Sequence, residues 1–384
     1  MQLRDVYITD LAIFLPNDPV DNDSIESVLG MVAGKPSRSR KIVLRNNGIK
    51  RRFYAIDPNT LKLTHTNAQL AAEAVRKLID KAGIEAADIE CLACGTSSSD
   101  QVVPGHASMV HGELANPPCE IVSTAGICSA GVTSLKYAAM DVMTGQARKT
   151  VATGSELASK HLRGTSLESE IEARIDALEK RPEIAFEKDF LRWMLSDGAG
   201  AALLSDTPNP DRLSLKIEWI DGYSYANELP ACMYSGAIKL EDGSLEGWCV
   251  PENQRDIVDK GYMPLKQDAR LLDEHIMPIS GRALAGLVKR HNLDLDDVTW
   301  YLPHYSSEYF RSRLHDQMVA HGVAIEYDRW FTNLPQIGNI GSASIYAIME
   351  ELMYSGKLNK GDTLLCYIPE SGRFSIYYML LTVV

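Results

Sequence analysis

From residue 6 onward, short apolar runs alternate with longer stretches of helical periodicity, and the same rhythm returns in the second half of the chain. Strands spaced by helices in this way call for an α/β fold, with helices covering the faces of a sheet. In the first half the pattern predicts strands over 6–15, 89–95, 120–123, 149–154 and 199–204, and helices over 67–83, 105–114 and 128–144. In the second half it predicts strands over 213–220, 298–302, 364–368 and 374–384, and helices over 275–291, 307–321 and 342–354. Each half ends on a strand preceded by a glycine turn, Asp197-Gly198-Ala199-Gly200 in one and Ser371-Gly372-Arg373 in the other. The expected organisation is therefore two related α/β halves, 1–205 and 206–384. Two stretches break the rhythm. One, about 160–193, is charge-rich and helical in pattern; the other, 222–265, is aperiodic. Long irregular segments in a compact chain shape a binding site or move over it.

Composition removes several classes of function. A net charge of −12 opposes a nucleic-acid partner, which needs a basic face. No apolar run reaches bilayer length and the N-terminus lacks a signal-peptide core, so no membrane partner and a cytoplasmic location are expected. The seven cysteines are odd in number and scattered, which is no disulfide framework. Cys91 and Cys94 lie inside the apolar run Ile89-Glu90-Cys91-Leu92-Ala93-Cys94 with no second ligand pair at zinc spacing. They read as core residues of one strand. Neither a metal site nor a phosphate loop is present in the pattern, so no cofactor is expected.

The most informative segment is Ser123-Thr124-Ala125-Gly126-Ile127-Cys128-Ser129-Ala130-Gly131. A strand ends, small residues turn, and Cys128 opens a long apolar helix. Free N–H groups and the helix dipole at such an end favour an anion, so a thiolate with a lowered pKa is expected there. His304 closes the strand Trp300-Tyr301-Leu302-Pro303, and strand ends are where α/β sheets meet ligands. Asn339 sits in Gly338-Asn339-Ile340-Gly341, a turn leading into a helix. Taken singly, each residue is equally at home in a core, a turn or a cap.

Together these motifs resemble the thiolase superfamily, in particular its β-ketoacyl-acyl-carrier-protein synthase III branch, over nearly the whole chain. The turn around Cys128 resembles that family's nucleophile turn, and Thr96-Ser97-Ser98-Ser99-Asp100 with Pro104 the loop before it. Gly154-Ser155-Glu156, Ser196-Asp197-Gly198-Ala199-Gly200-Ala201, Pro303-His304 and Gly338-Asn339 with Ser342-Ala343-Ser344 follow in family order. The resemblance implies a thiolase fold of two duplicated halves in five layers, α-β-α-β-α, and a homodimer. It implies that Cys128 carries an acyl group while His304 and Asn339 activate a second thioester. The Cys128 and Gly372 N–H groups would form the oxyanion hole. Arg311 and Arg313 stand where the family places basic residues for docking an acyl-carrier protein, with CoA thioesters as the other class of donor.

Departures from the family pattern point to a branch. Tyr305-Ser306-Ser307 replaces the usual Gln-Ala-Asn, and Ser371-Gly372-Arg373 replaces a triple glycine. With the 160–193 insertion, these features most resemble ketosynthases that form dialkylresorcinols and cyclohexanediones. The implied reaction is condensation of a β-ketoacyl thioester with a second acyl chain, followed by ring closure. Three other readings are a malonyl-dependent synthase III, a hydroxymethylglutaryl-type synthase using Glu156 as acid, and a non-catalytic subunit of a heterodimer.

Overall fold

The computed structural model describes residues 3–32, 34–37, 39–165 and 190–384. The charge-rich run expected to be helical falls mostly outside them. Nine strands form one sheet: β1 (Tyr7–Phe14), β2 (Cys91–Thr96), β3 (Glu120–Ala125), β4 (Lys149–Glu156), β5 (Gly198–Ser205), β6 (Leu215–Ser224), β7 (Trp300–Pro303), β8 (Thr363–Glu370) and β9 (Ser375–Val383). Six principal helices accompany them: α1 (Asn67–Ala82), α2 (His106–Leu114), α3 (Ser129–Thr144), α4 (Ala269–His291), α5 (Tyr309–Ala320) and α6 (Ser344–Met353). The strand order is β7-β8-β9-β6-β1-β5-β4-β2-β3.

The repeat expected from the sequence rhythm is visible in the pairing. In one half β2 runs parallel to β4, β4 antiparallel to β5, and β5 antiparallel to β1. In the other, β7 runs parallel to β8, β8 antiparallel to β9, and β9 antiparallel to β6. The counterpart of edge strand β3 is reduced to one parallel bridge, Tyr301 with Trp330. Among the described residues, the halves are joined in the sheet where Tyr7 and Ile8 meet Lys216 and Leu215.

Alternation along the strands sorts side chains into layers, because successive residues point to opposite faces. On β2, Ala93 faces the central core, while Leu92 and Cys94 pack with Leu70, Ala71 and Val75 of α1. On β8, Leu364, Cys366 and Ile368 face the central core, while Leu365 and Tyr367 meet Leu284 and Leu287 of α4 and Leu314 of α5. Between the two sheet faces lie α3 and α6, contributing Val132, Leu135, Ile345 and Tyr346. That gives the five layers. Cys91 and Cys94 are buried strand residues, as their apolar setting implied.

Local chemistry explains the element ends. Thr66 and Gln69 close a capping box at the start of α1, and Gly83 ends it in the left-handed region at φ 65°. The helix predicted over 275–291 begins earlier, at Ala269, because Asp268 caps it by accepting from the Leu271 N–H at 3.0 Å. It continues through Pro278, as the predicted span already required.

Close backbone approach dictates three glycines around the nucleophile helix. A Cβ on Gly95 would lie 2.1 Å from the Ala130 carbonyl oxygen, and one on Gly131 or Gly154 would lie 2.0 or 2.3 Å from that of Ser342. By contrast, a Cβ on Gly112 inside α2 meets nothing within 4 Å. Gly131→Ala should destabilise the fold by about 3 kcal/mol, the upper end for overpacking, since the obstacle is backbone. Gly112→Ala should be neutral or stabilising by up to about 1 kcal/mol through helix propensity. Urea denaturation of both variants checks this; equal effects would contradict the packing argument.

Candidate active site

Cys128 is the N-cap residue of α3, at the end of the turn that leaves β3. His304 follows Pro303 at the end of β7, its N–H donating to the Tyr367 carbonyl at 2.9 Å. Asn339 comes from the loop before α6. Its N–H donates to the Met194 carbonyl (3.1 Å) and its carbonyl accepts from the Ser196 N–H (2.8 Å), which ties the second half of the chain to the first. All three side chains are buried and line one cavity of about 90 Å³. Residues separated by long stretches of sequence thus converge, as the resemblance implied. The remaining lining is mostly apolar, including Ile127, Met194, Leu195, Leu272, Ile276 and Phe310.

Asn339 is oriented by its own loop. Its side-chain carbonyl accepts from the Gly341 N–H at 2.9 Å and from the Ser344 hydroxyl at 3.4 Å. The NH₂ group is the end left for a ligand in the cavity. His304 is held neutral: burial lowers its pKa to about 4, so at neutral pH its ring has one N–H to donate and one nitrogen able to accept. The arrangement offers a thiol and two uncharged hydrogen-bonding groups in a cavity lined in larger part by apolar surface.

The expectation of a lowered Cys128 pKa is overturned. Burial, then the nearby charges of Glu156 and Glu370, push the thiol well above its ordinary range. A helix N-terminus contributes about 0.3–2 kcal/mol toward an anion. Removing the thiolate from water beside two carboxylates costs more, so the resting group is the thiol. The sequence argument used the helix end alone and could not see which acids the fold would bring near.

Glu156 is more central than its sequence motif suggested. It lines the cavity, is almost fully buried, and burial raises its pKa. Its carboxylate accepts from the Ser97 N–H (3.2 Å), the Ser97 hydroxyl (2.6 Å), the Ser98 hydroxyl (2.9 Å) and the Ser342 N–H (3.2 Å). Four donors fix it in place as a tie between the loop after β2 and the loop carrying Asn339. Glu370 was missed altogether. It accepts from the Ser129 hydroxyl, next to the nucleophile, and no motif marked it.

Asp197 of the Ser196-Asp197-Gly198 motif is structural. It accepts from the Ala55 N–H (2.7 Å) and from the Ser159 N–H (2.8 Å) and hydroxyl (2.5 Å), fixing the segment against which Asn339 is bonded. Gly372 lies against Ile127, and its carbonyl accepts from the Cys232 N–H at 2.9 Å, which fixes that peptide beside the nucleophile turn. The two arginines expected at a docking face are both engaged within the chain. Arg311 stacks over Tyr327 at 4.9 Å, and Arg313 pairs with Asp273 at 2.6 Å. Among the described residues no group of His, Cys, Asp and Glu is arranged to hold a metal ion, and no helix is long and apolar enough to cross a membrane.

The protonated resting state has a direct readout. Iodoacetamide alkylation of Cys128, followed by intact mass, should accelerate with pH and keep rising beyond the ordinary thiol pKa of about 8.5. A rate already level by pH 7 would mean that the helix end wins over burial and charge.

Residues 57–187 match the thiolase N-terminal domain, and residues 288–368 match the C-terminal region of 3-oxoacyl-[acyl-carrier-protein] synthase III. Among characterised relatives, the β-ketoacyl-[acyl-carrier-protein] synthase III of Clostridium perfringens is 22% identical over 363 residues, covering 94% of this chain and 95% of that one. The solved structure of AbyA1, a tetronic acid condensing enzyme, superposes with a TM-score of 0.77 at 19% identity, covering 98% of this chain and 99% of the other. OleA from Xanthomonas campestris superposes with a TM-score of 0.70 at 18% identity over 100% and 98% of the two chains. With the five-layered fold, these matches show a thiolase-fold, synthase III-like condensing acyltransferase.

Proposed function

We propose that this enzyme joins two acyl thioesters, a β-ketoacyl thioester and a second acyl chain, through an acyl group carried on Cys128. The carrying observation is the convergence of Cys128, His304 and Asn339 on one apolar cavity, with the Asn339 carbonyl held so that its NH₂ is free to donate. In the first step the neutral imidazole of His304 takes the thiol proton as sulfur attacks the donor carbonyl. The carbon–sulfur bond forms, the donor's own thiol leaves, and the imidazolium returns the proton to it. The developing oxyanion is met by the Cys128 and Gly372 N–H groups.

His304 is then neutral again. It and the Asn339 amide donate to the carbonyl of the incoming thioester, stabilising the enolate formed as its α-proton passes to the Glu156 carboxylate in the same cavity, which returns that proton to the Cys128 sulfur once the thiolate is released. A β-keto group makes that proton more acidic, so no carboxylate need be lost. The α-carbon attacks the Cys128 thioester, a carbon–carbon bond forms, and the Cys128 thiolate is released. An amide suits this position because it donates without acting as a base. The apolar lining accommodates the alkyl chains. Ring closure of the condensed product into a cyclohexanedione, as in the secondary-metabolite enzymes the sequence resembles, completes the reading. A malonyl-dependent synthase III is the alternative, separated by carbon dioxide release from a malonyl thioester. A non-catalytic subunit would have no use for all three side chains.

The carriers are acyl-carrier-protein or CoA thioesters. With Arg311 and Arg313 engaged, the exposed cations Lys41, Arg45, Lys50 and Arg51 are the better candidates for an acidic or phosphorylated carrier. Their segment adjoins the loop after His304, since the Glu308 N–H donates to the Asn47 carbonyl at 3.0 Å.

A homodimer is supported by the edge of the sheet. β3 is open on one side, most of its residues are exposed or half-buried, and Val102 and Val103 protrude nearby with 76% and 78% of their surface exposed. An open edge of this kind, with Glu120 as the one charged residue of the strand, invites pairing.

Two measurements test these readings. Incubation with acyl-CoA should add the acyl mass to the intact protein. Cys128→Ala should take up none, while Asn339→Ala should acylate normally yet lose about a hundredfold or more in condensation, as expected for removal of a preorganised donor. No adduct from any thioester would refute the acyl-carrying role. Light scattering should report a dimer that Ile121→Asp converts to monomer; an unaltered dimer would place the interface elsewhere.

A further inference from the structure

Glu370 is the buried acid that the proposed chemistry does not use. Its carboxylate accepts from the Ser129 hydroxyl, one residue past the nucleophile, and has the backbone N–H groups of Ile127 and Arg373 beside it. It is pressed between two glycines. A Cβ on Gly126 would lie 3.3 Å from Glu370 Oε2, and one on Gly372 would lie 2.6 Å from Oε1. One set of contacts belongs to the turn that carries Cys128, the other to the turn that carries Gly372. These turns come from opposite halves of the chain. Glu370 and Gly372 line a separate cleft with Leu229, Ala231 and Arg373, whereas Pro369 and Ser371, which alternate with them, line the catalytic cavity.

We propose that Glu370 is a positioning residue that sets the separation of the Cys128 and Gly372 N–H groups, clasping the nucleophile turn to the turn opposite it. The assignment rests on the acyl-transfer reading above, because only an acyl oxyanion uses both donors at once. A carboxylate suits the role: its two oxygens can accept from both turns together, and buried charge-assisted hydrogen bonds are the stronger kind. Its negative charge works against the Cys128 thiolate, so the clasp trades nucleophile acidity for geometry. Oxyanion stabilisation depends on donors aimed within a few tenths of an ångström, and losing one donor costs about 10²–10³ in rate.

The test compares two reactions of the same sulfur. Alkylation by iodoacetamide needs the thiolate but no oxyanion hole; acylation by an acyl-CoA needs both. Glu370→Ala should slow acylation, followed by quenched-flow intact mass, by about tenfold to a hundredfold, a part of the loss of a whole donor. Alkylation should stay as fast or become faster, because a negative charge beside the sulfur is gone. Glu370→Gln, which can still bond both turns through one acceptor and one donor, should recover part of the acylation rate. KM for the acyl-CoA should hold within about twofold, since the side chain does not line the acyl cavity. Equal slowing of alkylation and acylation would overturn the proposal in favour of a general base or a damaged fold. Unchanged acylation would overturn it as well. Failure of the acyl-transfer reading itself is distinguishable, because the unmodified protein would then form no adduct.

Discussion

The contact on which the site depends is the backbone approach at Ser342. Its carbonyl occupies the space that side chains on Gly131 and Gly154 would fill. Its N–H donates to Glu156, and its hydroxyl donates to the Ser155 carbonyl at 3.1 Å. One residue of the second half is thereby wedged into a strand and a helix of the first. Asn339, three residues upstream, inherits its position from that wedge and from its backbone bonds to the 194–196 segment. Cys128, His304 and Asn339 are brought together by packing at a seam. No single element carries them all.

Burial governs the chemistry of the chamber. His304 is kept neutral, Glu156 and Glu370 are drawn toward protonation, and Cys128 is held as a thiol. Each shift has the same cause, loss of water around a charged form. A site of mostly uncharged groups binds an apolar acyl chain without a large desolvation penalty.

Much of this was legible in the sequence. Periodicity located the strands and helices of both halves, because each has one buried face. The glycine turns and the order of the motifs marked Cys128, His304 and Asn339. What could not be read was anything set by long-range contact. The charge state expected for Cys128 was wrong, because it depended on acids that the fold delivers from 28 and 242 residues away. Arg311 and Arg313 looked available on a helix, yet Tyr327 and Asp273 already occupy them. Glu370 carried no signature, since a carboxylate facing a neighbouring turn leaves no spacing in the chain. The start of α4 was misplaced by six residues for a local reason, the cap that Asp268 supplies before Ala269.

Among the described residues, the two halves of the sheet meet over two residue pairs, Tyr7 with Lys216 and Ile8 with Leu215. So short a seam lends little rigidity between them. The central helices and the loops above them, Ser342 and Glu370 included, must carry that load. Reactivity is then a property of the joint rather than of either half. One half holds Cys128 and the other holds His304 and Asn339, so the cavity they share exists only across the joint.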